Sequence, residues 1–202
     1  MTYKPASREW RGYSRAALIG LLLLPGLAVA RSPPPTLVLP VSSPCISSPF
    51  GPRIIPNHPQ AGTYHYGVDL PAPEGAEVRA TAFGKVIGIH NSGPGGLEIL
   101  VQHEGYVGVY SHLGMVTPAL AVGRTTVMAG DKLGVVGHTG VVFGTHLYFG
   151  MIAGRPIDPA PYLGVPLCAG AVHQRTPAEI LESGGKLPPT RHYYLLDQFP
   201  YK

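Results

Sequence analysis

The chain has 202 residues and a formal net charge of +4, from 15 Lys and Arg against 11 Asp and Glu. Residues 1–30 contain four basic residues and one acidic residue, so eleven basic and ten acidic residues remain in residues 31–202. The basic surplus is therefore confined to the N-terminus, and no basic patch with interleaved aromatic residues is left. This distribution argues against nucleic acid as a partner.

The first thirty residues have the order of an export signal. Four basic residues end at Arg15, an apolar run covers residues 16–27, and Ala28-Val29-Ala30 supplies the small residues that signal peptidase requires. We predict a signal peptide at 1–30, cleavage before Arg31, and a mature protein in the periplasm or cell envelope without a membrane span. The alternative is a single membrane anchor, but the run is shorter than the ~20 apolar residues of a span, and Pro25 interrupts it.

Cys45 and Cys168 are the two cysteines of the chain. Export would place them in an oxidising compartment, so we predict that they form a disulfide. The alternative is two reduced thiols with no structural relationship.

Three segments follow the predicted signal. Residues 31–47 are rich in proline and predict an extended linker, because this composition cannot form a helix. Residues 48–168 predict one mainly β domain with antiparallel sheets. Its short apolar runs, separated by glycine-containing turns, lie at 85–90, 97–102, 107–112 and 147–152.

Residues 169–202 form a C-terminal extension of different composition. Thr176 is a suitable N-cap, Pro177 and Glu179 suit the first helical turn, and Gly184-Gly185 would end the helix. We therefore expect a short helix after residue 176.

Several histidines and one aspartate form the candidate site. His65 precedes Asp69 by four residues, so in an extended segment both side chains lie on one face. Zinc binds these two donor types, and a catalytic zinc takes three protein ligands plus a water molecule. His112 ends a predicted strand, and His146 and Tyr148 alternate with apolar residues on another, so those two point to the same side.

Longer motifs surround these residues and resemble the lysostaphin-type metallopeptidases, which cleave peptide cross-links in bacterial peptidoglycan. The matching segments include Ser48-Pro-Phe-Gly-Pro-Arg53, His65-Tyr-Gly-Val-Asp69-Leu-Pro-Ala-Pro-Glu-Gly75, Tyr110-Ser-His112-Leu113, Gly130-Asp-Lys-Leu-Gly-Val-Val-Gly137, Thr139-Gly140, His146-Leu147 and Ile157-Asp158-Pro159. The resemblance implies a compact antiparallel β-sheet domain with an open groove.

The resemblance also implies roles for individual residues. It makes His65 and Asp69 zinc ligands, and it makes His112 and His146 the non-ligand histidines that activate water and stabilise charge on the scissile carbonyl. The third ligand position, a histidine in the family, is Tyr148 here, and a glutamate usually found two residues later is Gly150.

Tyrosine is a poor third ligand. A phenol has a pKa near 10, so it binds a metal as phenolate only after losing a proton at neutral pH. Zinc binding is therefore expected to be weak or absent. His138, in a Gly-His-Thr-Gly turn, is an alternative ligand if that turn approaches the metal, but an exposed turn histidine is the favoured interpretation.

Three functional hypotheses follow from these residues. The first is a peptidoglycan-directed domain with impaired hydrolysis, which acts by binding wall peptides or by activating an envelope protein partner. The second is an active zinc endopeptidase that uses Tyr148 or another third ligand. The third is a swinging-arm carrier, suggested by the segments around Lys85 and Lys132, and it fails because neither lysine has the hairpin motif of a carrier.

Overall fold

The computed structural model describes residues 36–53, 55, 58, 62–171 and 177–182. The predicted signal peptide lies outside these residues. Within the described ranges, no helix is long and apolar enough to cross a membrane.

The described part of the chain is mainly β, as predicted. In chain order, its elements are β1 (Gly51–Pro52), β2 (Tyr64–His65), β3 (Gly67–Pro71), β4 (Glu77–Arg79), β5 (Gly84–Asn91), β6 (Leu97–His103), β7 (Tyr106–Ser111), β8 (Leu113–Val116), β9 (Thr126–Val127), β10 (Lys132–Val136), β11 (His146–Ile152), β12 (Pro156–Ile157), α1 (Ala160–Leu163) and α2 (Pro177–Glu182). The four strands predicted from apolar runs correspond to β5, β6, β7 and β11. The helix predicted after residue 176 is α2.

One large antiparallel sheet forms the centre of the fold. Its strand order is β12-β11-β7-β6-β5-β9, and β3 also pairs with β11. A smaller sheet of order β4-β10-β8 and the β1-β2 pair complete the described sheets. All strand pairs are antiparallel. This arrangement is possible with short turns, because consecutive antiparallel strands need only a short connection.

Alternation along β11 separates the two faces of the large sheet. Leu147, Phe149 and Met151 are at most 2% exposed and belong to the main hydrophobic core. Burial of each such side chain contributes roughly 1.5–3 kcal/mol. Tyr148 and Ile152 point to the other face, where they pack against a small cluster of Leu100, Val107 and Val109. His146 lies on that same face by alternation. The burial of Leu147, Phe149 and Met151 in the core therefore fixes the side of the sheet to which His146 and Tyr148 point.

Residues 36–47, the described part of the extended linker predicted at 31–47, form backbone hydrogen bonds with the domain. The backbone N–H of Leu37 donates to Tyr162, that of Arg79 donates to Pro40, and Val41 is fully buried. Proline prevents a helix here, but an extended backbone keeps carbonyls and other N–H groups available for pairing with the domain.

The predicted disulfide between Cys45 and Cys168 is present. It lies beside a parallel bridge between Ile46 and Leu167, and the N–H of Cys168 donates to Ile46. The disulfide therefore joins the segment just before the predicted domain to the last residue of that domain, Cys168.

Neither candidate carrier lysine lies at a hairpin tip. Lys85 is part of β5, and Lys132 is part of β10, where its Nζ is 3.1 Å from Glu77. These positions agree with the rejection of the carrier hypothesis.

Candidate functional site

Strand pairing brings the predicted site residues together. Tyr148 on β11 lies opposite Asp69 on β3 and, on its other side, opposite Ser111 on β7. His112 follows β7 directly, and His65 on β2 lies opposite Gly51 on β1. Strands from separate parts of the sequence thus place all five predicted residues on one side of the sheet.

Asp69 is the centre of this cluster. Its Oδ1 lies 3.1 Å from His65 Nε2 and 3.3 Å from His146 Nε2. The rings of His65 and Tyr148 are 5.4 Å apart, and those of His112 and His146 are 5.0 Å apart. The His112 ring is 6.2 Å from that of Tyr148, so Tyr148 lies within the cluster.

Backbone carbonyls orient the three imidazoles in the same way. The Nδ1 of His65 is 3.1 Å from the Pro49 oxygen, that of His112 is 2.9 Å from the Thr139 oxygen, and that of His146 is 2.8 Å from the Gly144 oxygen. A carbonyl oxygen only accepts hydrogen bonds, so each Nδ1 carries a proton. The Nε2 atoms are therefore the nitrogens available to a metal ion or a reacting group.

His112 has a strained backbone. Its φ of 65° is the one positive value of a non-glycine residue in the described ranges. The His112 N–H donates to Gly95 at 2.9 Å, and the Gly137 N–H donates to the His112 oxygen at 2.9 Å. Strained residues held by neighbouring hydrogen bonds cluster at functional sites, which agrees with the role that the resemblance implies for His112.

Arg53 holds the outer oxygen of the Asp69 carboxylate. Its Nη1 is 3.4 Å from Asp69 Oδ2 and donates to Ser48 Oγ at 2.7 Å. Both the arginine and the aspartate are buried. The contact of Arg53 with Asp69 could not be predicted from the motif that contains Arg53, because Asp69 lies on another strand.

The electrostatics of the carboxylate follow from these contacts. Burial by itself would raise the pKa of Asp69, but the nearby His65 and His146 outweigh it and hold that pKa well below its ordinary value. Asp69 is therefore ionised at neutral pH. The hydrogen bond and charge of Asp69 likewise raise the pKa of His146 above 6.5, against the opposing effect of burial.

The pKa of His112 is shifted in the opposite direction to that of His146. Burial lowers its pKa below 6.5, and the positive charge of His146 lowers it further. Burial thus shifts the pKa of His112 toward the neutral form, and the Asp69 carboxylate shifts that of His146 toward the charged form. Two groups of the same type with separated pKa values are the usual arrangement for a base and an acid.

The Tyr148 side chain is directed along β11. An ideal Cβ on Gly150 would lie 3.1 Å from Tyr148 Oη, and one on Gly67 would lie 2.7 Å from the ring carbon that bears the hydroxyl. The ring therefore extends over Gly67 and Gly150, which lie opposite each other in the pairing of β3 with β11. The chain has room for this phenol because neither glycine has a side chain.

The phenol also keeps its proton strongly. Burial raises the pKa of Tyr148 above its ordinary value of 10.0, and the carboxylates of Asp69 and Glu98 raise it further. A phenolate ligand is disfavoured on both grounds. His65 and Asp69 suit zinc as a donor pair, but Tyr148 does not complete a set of three.

The remaining histidine that was considered as a ligand, His138, is exposed. The residues that the structure describes contain no group of three or more His, Cys, Asp or Glu side chains that could hold a metal ion. The residues present therefore do not fit the ligand set that the resemblance implies.

Glu98 is a further acidic residue on this face and was not among the residues predicted from the sequence. Glu98 is buried, and it accepts a hydrogen bond from Ser111 Oγ at 2.9 Å. Burial raises its pKa above the ordinary value of 4.5. A glutamate inside an apolar strand pattern was the available signal, since such a residue is seldom buried without a partner.

The comparisons with known proteins agree with this geometry. Residues 63–159 match the model of peptidase family M23. The chain is 36% identical over 118 residues to the DD-carboxypeptidase/endopeptidase Mpg of Neisseria meningitidis serogroup B, a match that covers 56% of this chain and 26% of Mpg. It is 33% identical over 117 residues to the peptidoglycan DD-endopeptidase ShyB of Vibrio cholerae, with coverage of 56% and 26%. The chain thus spans about a quarter of the length of these curated relatives.

Solved structures of other proteins have a similar fold. A zinc-containing peptidase from Vibrio cholerae gives a TM-score of 0.53 at 31% identity, covering 61% of this chain and 39% of that one. The catalytic domain of lysostaphin from Staphylococcus simulans gives 0.51 at 29% identity, covering 58% and 90%. LytU gives 0.50 at 30% identity, covering 58% and 82%. The expected lysostaphin-type antiparallel β fold is confirmed.

Proposed function

Because the chain belongs to peptidase family M23, we propose that its domain is directed at the peptides of peptidoglycan and hydrolyses them poorly. The position of Tyr148 carries this proposal. Its ring lies among the site residues, yet its hydroxyl extends over Gly150 and retains its proton. A catalytic zinc needs three protein ligands, and only His65 and Asp69 remain from the expected set.

Peptidoglycan as the target is supported by the similarity to proteins named as peptidoglycan DD-endopeptidases. Zinc as the metal is supported by the similarity to a zinc-containing peptidase. When bound, zinc would supply a water molecule of lowered pKa for attack on a peptide carbonyl. A site with fewer ligands binds this metal more weakly, so slow or absent hydrolysis is the expected consequence.

The chain's own residues still suit peptide binding. When charged, His146 can donate to a carbonyl oxygen, and when neutral, His112 can accept a hydrogen bond from a water molecule or an amide N–H. Phe50, Tyr64 and Tyr66 form a chain of ring contacts beside His65, with centroids 5.6 and 4.8 Å apart. Such aromatic surfaces bind apolar parts of ligands. The domain would then act in the cell envelope by occupying wall peptides or by activating a partner enzyme.

The second candidate is an active zinc endopeptidase. The observation that favours it is that the pKa of His112 is lowered and that of His146 is raised, a separation that a domain that only binds does not require. This candidate needs a third ligand other than a neutral phenol.

Two assays on the mature protein test the proposal. The first is cosedimentation with purified peptidoglycan, and the second is release of soluble fragments with zinc supplied. We expect cosedimentation, with fragment release close to that of a His112→Ala variant. A His138→Ala variant is the control, since His138 is exposed. Absence of cosedimentation would refute wall binding, and rapid release that His112→Ala abolishes would establish the active enzyme instead.

A further inference from the structure

The disulfide begins a segment that holds the backbone of the candidate site. We call residues 45–53, which start at Cys45, the strap. The N–H of Ser47 donates to the Asp69 oxygen at 2.9 Å, and its Oγ donates to the same oxygen at 3.2 Å. The N–H of Asp69 in turn donates to the Ser48 oxygen at 2.9 Å. The strap therefore binds both backbone polar groups of Asp69.

The strap also orients the side chains of two site residues. The Nδ1 of His65 donates to the Pro49 oxygen at 3.1 Å. Arg53 Nη1 donates to Ser48 Oγ at 2.7 Å and is 3.4 Å from Asp69 Oδ2. The direction of the His65 ring and the charge environment of the Asp69 carboxylate thus both depend on where the strap lies.

The strap lies at the edge of the large sheet. Apart from β1, which pairs with β2, it meets its neighbours through isolated bridges, of Ser48 with Asp69 and of Ile46 with Leu167. The other side of β3 pairs with β11 over the full length of β3. Edge segments with few hydrogen bonds open locally at a lower free-energy cost than central strands do. Release of the strap therefore does not require the sheet to unfold.

The disulfide is accessible from solvent. Cys45 and Cys168 are both half-buried, and Leu167 next to Cys168 is 56% exposed. A dithiol can reach such a bridge and reduce it by thiol–disulfide exchange. The S–S bond breaks through a mixed disulfide, the two cysteines become thiols with the two protons of the dithiol, and the dithiol is oxidised to a disulfide.

We propose that the Cys45–Cys168 disulfide is a redox-sensitive anchor of the candidate site. Its reduction by a dithiol frees the strap from β3 and loosens His65 and Asp69, while the large sheet stays folded. In the oxidised protein the covalent link keeps the strap beside β3, so its hydrogen bonds to Asp69 persist. The expected consequence, weaker binding of peptidoglycan after reduction, rests on the proposed function.

Amide hydrogen exchange tests the anchor, with the oxidised protein compared with the protein reduced by dithiothreitol. We expect the N–H groups of Ser47 and Asp69 to exchange about 10-fold or more faster after reduction, because local opening depends on the contacts of the strap alone. The amides of β6 report unfolding of the whole domain and should exchange more slowly than these two groups. A Cys45→Ser/Cys168→Ser variant should behave as the reduced protein does, without any reductant.

Leu133→Ala is the matched control. It removes a fully buried side chain from β10 and lowers the stability of the domain, but it keeps the disulfide. Unchanged exchange at Ser47 and Asp69 after reduction would overturn the proposal. Equal rates at these groups and in β6, or the same acceleration in Leu133→Ala, would overturn it too, because the effect would then be unfolding of the whole domain.

Cosedimentation with purified peptidoglycan measures the consequence for function. The reduced protein and the double serine variant should bind less than the oxidised protein, and Leu133→Ala should bind as the wild type does. Equal binding in both redox states would refute the coupling between the disulfide and the site. No binding by the oxidised protein would refute the proposed function, and the exchange measurement would still decide whether the disulfide anchors the strap.

Discussion

Tyr148 and Gly150 share the site face of β11, and the phenol of Tyr148 occupies space that any side chain at position 150 would need. An ideal Cβ on Gly150 would lie 3.1 Å from Tyr148 Oη. The two positions at which the chain departs from the motif it resembles are therefore sterically linked. The tyrosine is compatible with this strand because the residue two positions later is glycine.

This link predicts a coupled effect of substitutions on stability. Gly150→Ala should destabilise the wild type by about 1 kcal/mol, because the added methyl group must displace the phenol. In a Tyr148→His background the same change should be neutral or slightly stabilising, since alanine also restricts the unfolded chain. Urea unfolding of the four proteins gives the coupling energy. Equal effects in both backgrounds would show that the two positions are independent.

Arg53 should be more important for stability than its motif suggests. Arg53→Met would leave the buried carboxylate of Asp69 without its guanidinium partner, and loss of one member of a buried ion pair costs about 3–5 kcal/mol. The matched control is Arg79→Met, because Arg79 pairs with Glu77 on the exposed surface. Urea unfolding should give a much smaller change for the control. A similarly small change in the free energy of unfolding for Arg53→Met would mean that His65 and His146 alone stabilise the charge of Asp69.

His103 should make stability fall in mild acid. Its Nδ1 donates to the Phe83 oxygen at 3.0 Å, its Nε2 is 3.1 Å from Tyr110 Oη, and burial lowers its pKa below 6.5. The unfolded chain therefore takes up this proton at higher pH than the folded protein does. The contribution of neutral His103 is complete above about pH 6.5 and is lost as pH falls toward the lowered folded-state pKa.

A His103→Gln variant isolates this contribution. The difference in free energy of unfolding between wild type and variant should shrink as the pH is lowered from 7.5 to 5. His138→Gln is the control, because His138 is exposed and its substitution should leave the pH dependence unchanged. A difference that stays constant with pH would contradict the effect expected of His103.

The disulfide should provide a large part of the stability. Cys45 and Cys168 are 123 residues apart, and closing a loop of this length contributes roughly 4–5 kcal/mol in the chain-entropy model. Reduction, or a Cys45→Ser/Cys168→Ser variant, should lower the urea midpoint strongly, and intact mass should show loss of two hydrogens in the oxidised protein. Two free thiols in protein isolated from the periplasm would refute the bridge.

Much of this arrangement follows from local sequence. Runs of β-branched and aromatic residues located β5, β6, β7 and β11, and alternation along β11 placed His146 and Tyr148 on one face because Leu147 and Phe149 enter the core. These features depend on neighbours within a few residues, which the sequence displays directly.

Features that depend on distant partners were not predictable in this way. The direction of the Tyr148 ring depends on Gly67 across the β3–β11 pair. The buried position of Glu98 depends on Ser111 of the adjacent strand, and the packing of residues 36–47 depends on acceptors such as Tyr162. In each case the partner is set by tertiary pairing, which periodicity alone does not specify.

The most direct test of impaired hydrolysis compares peptidoglycan fragment release by the wild type, Tyr148→His and Tyr148→Phe, each with zinc supplied. We expect little release by the wild type and by Tyr148→Phe. Tyr148→His should gain zinc affinity and some release, because it offers an imidazole on the same face as His146, although Gly150 can limit the gain. An active wild type together with an inactive Tyr148→Phe would contradict the account and make the tyrosine a working ligand.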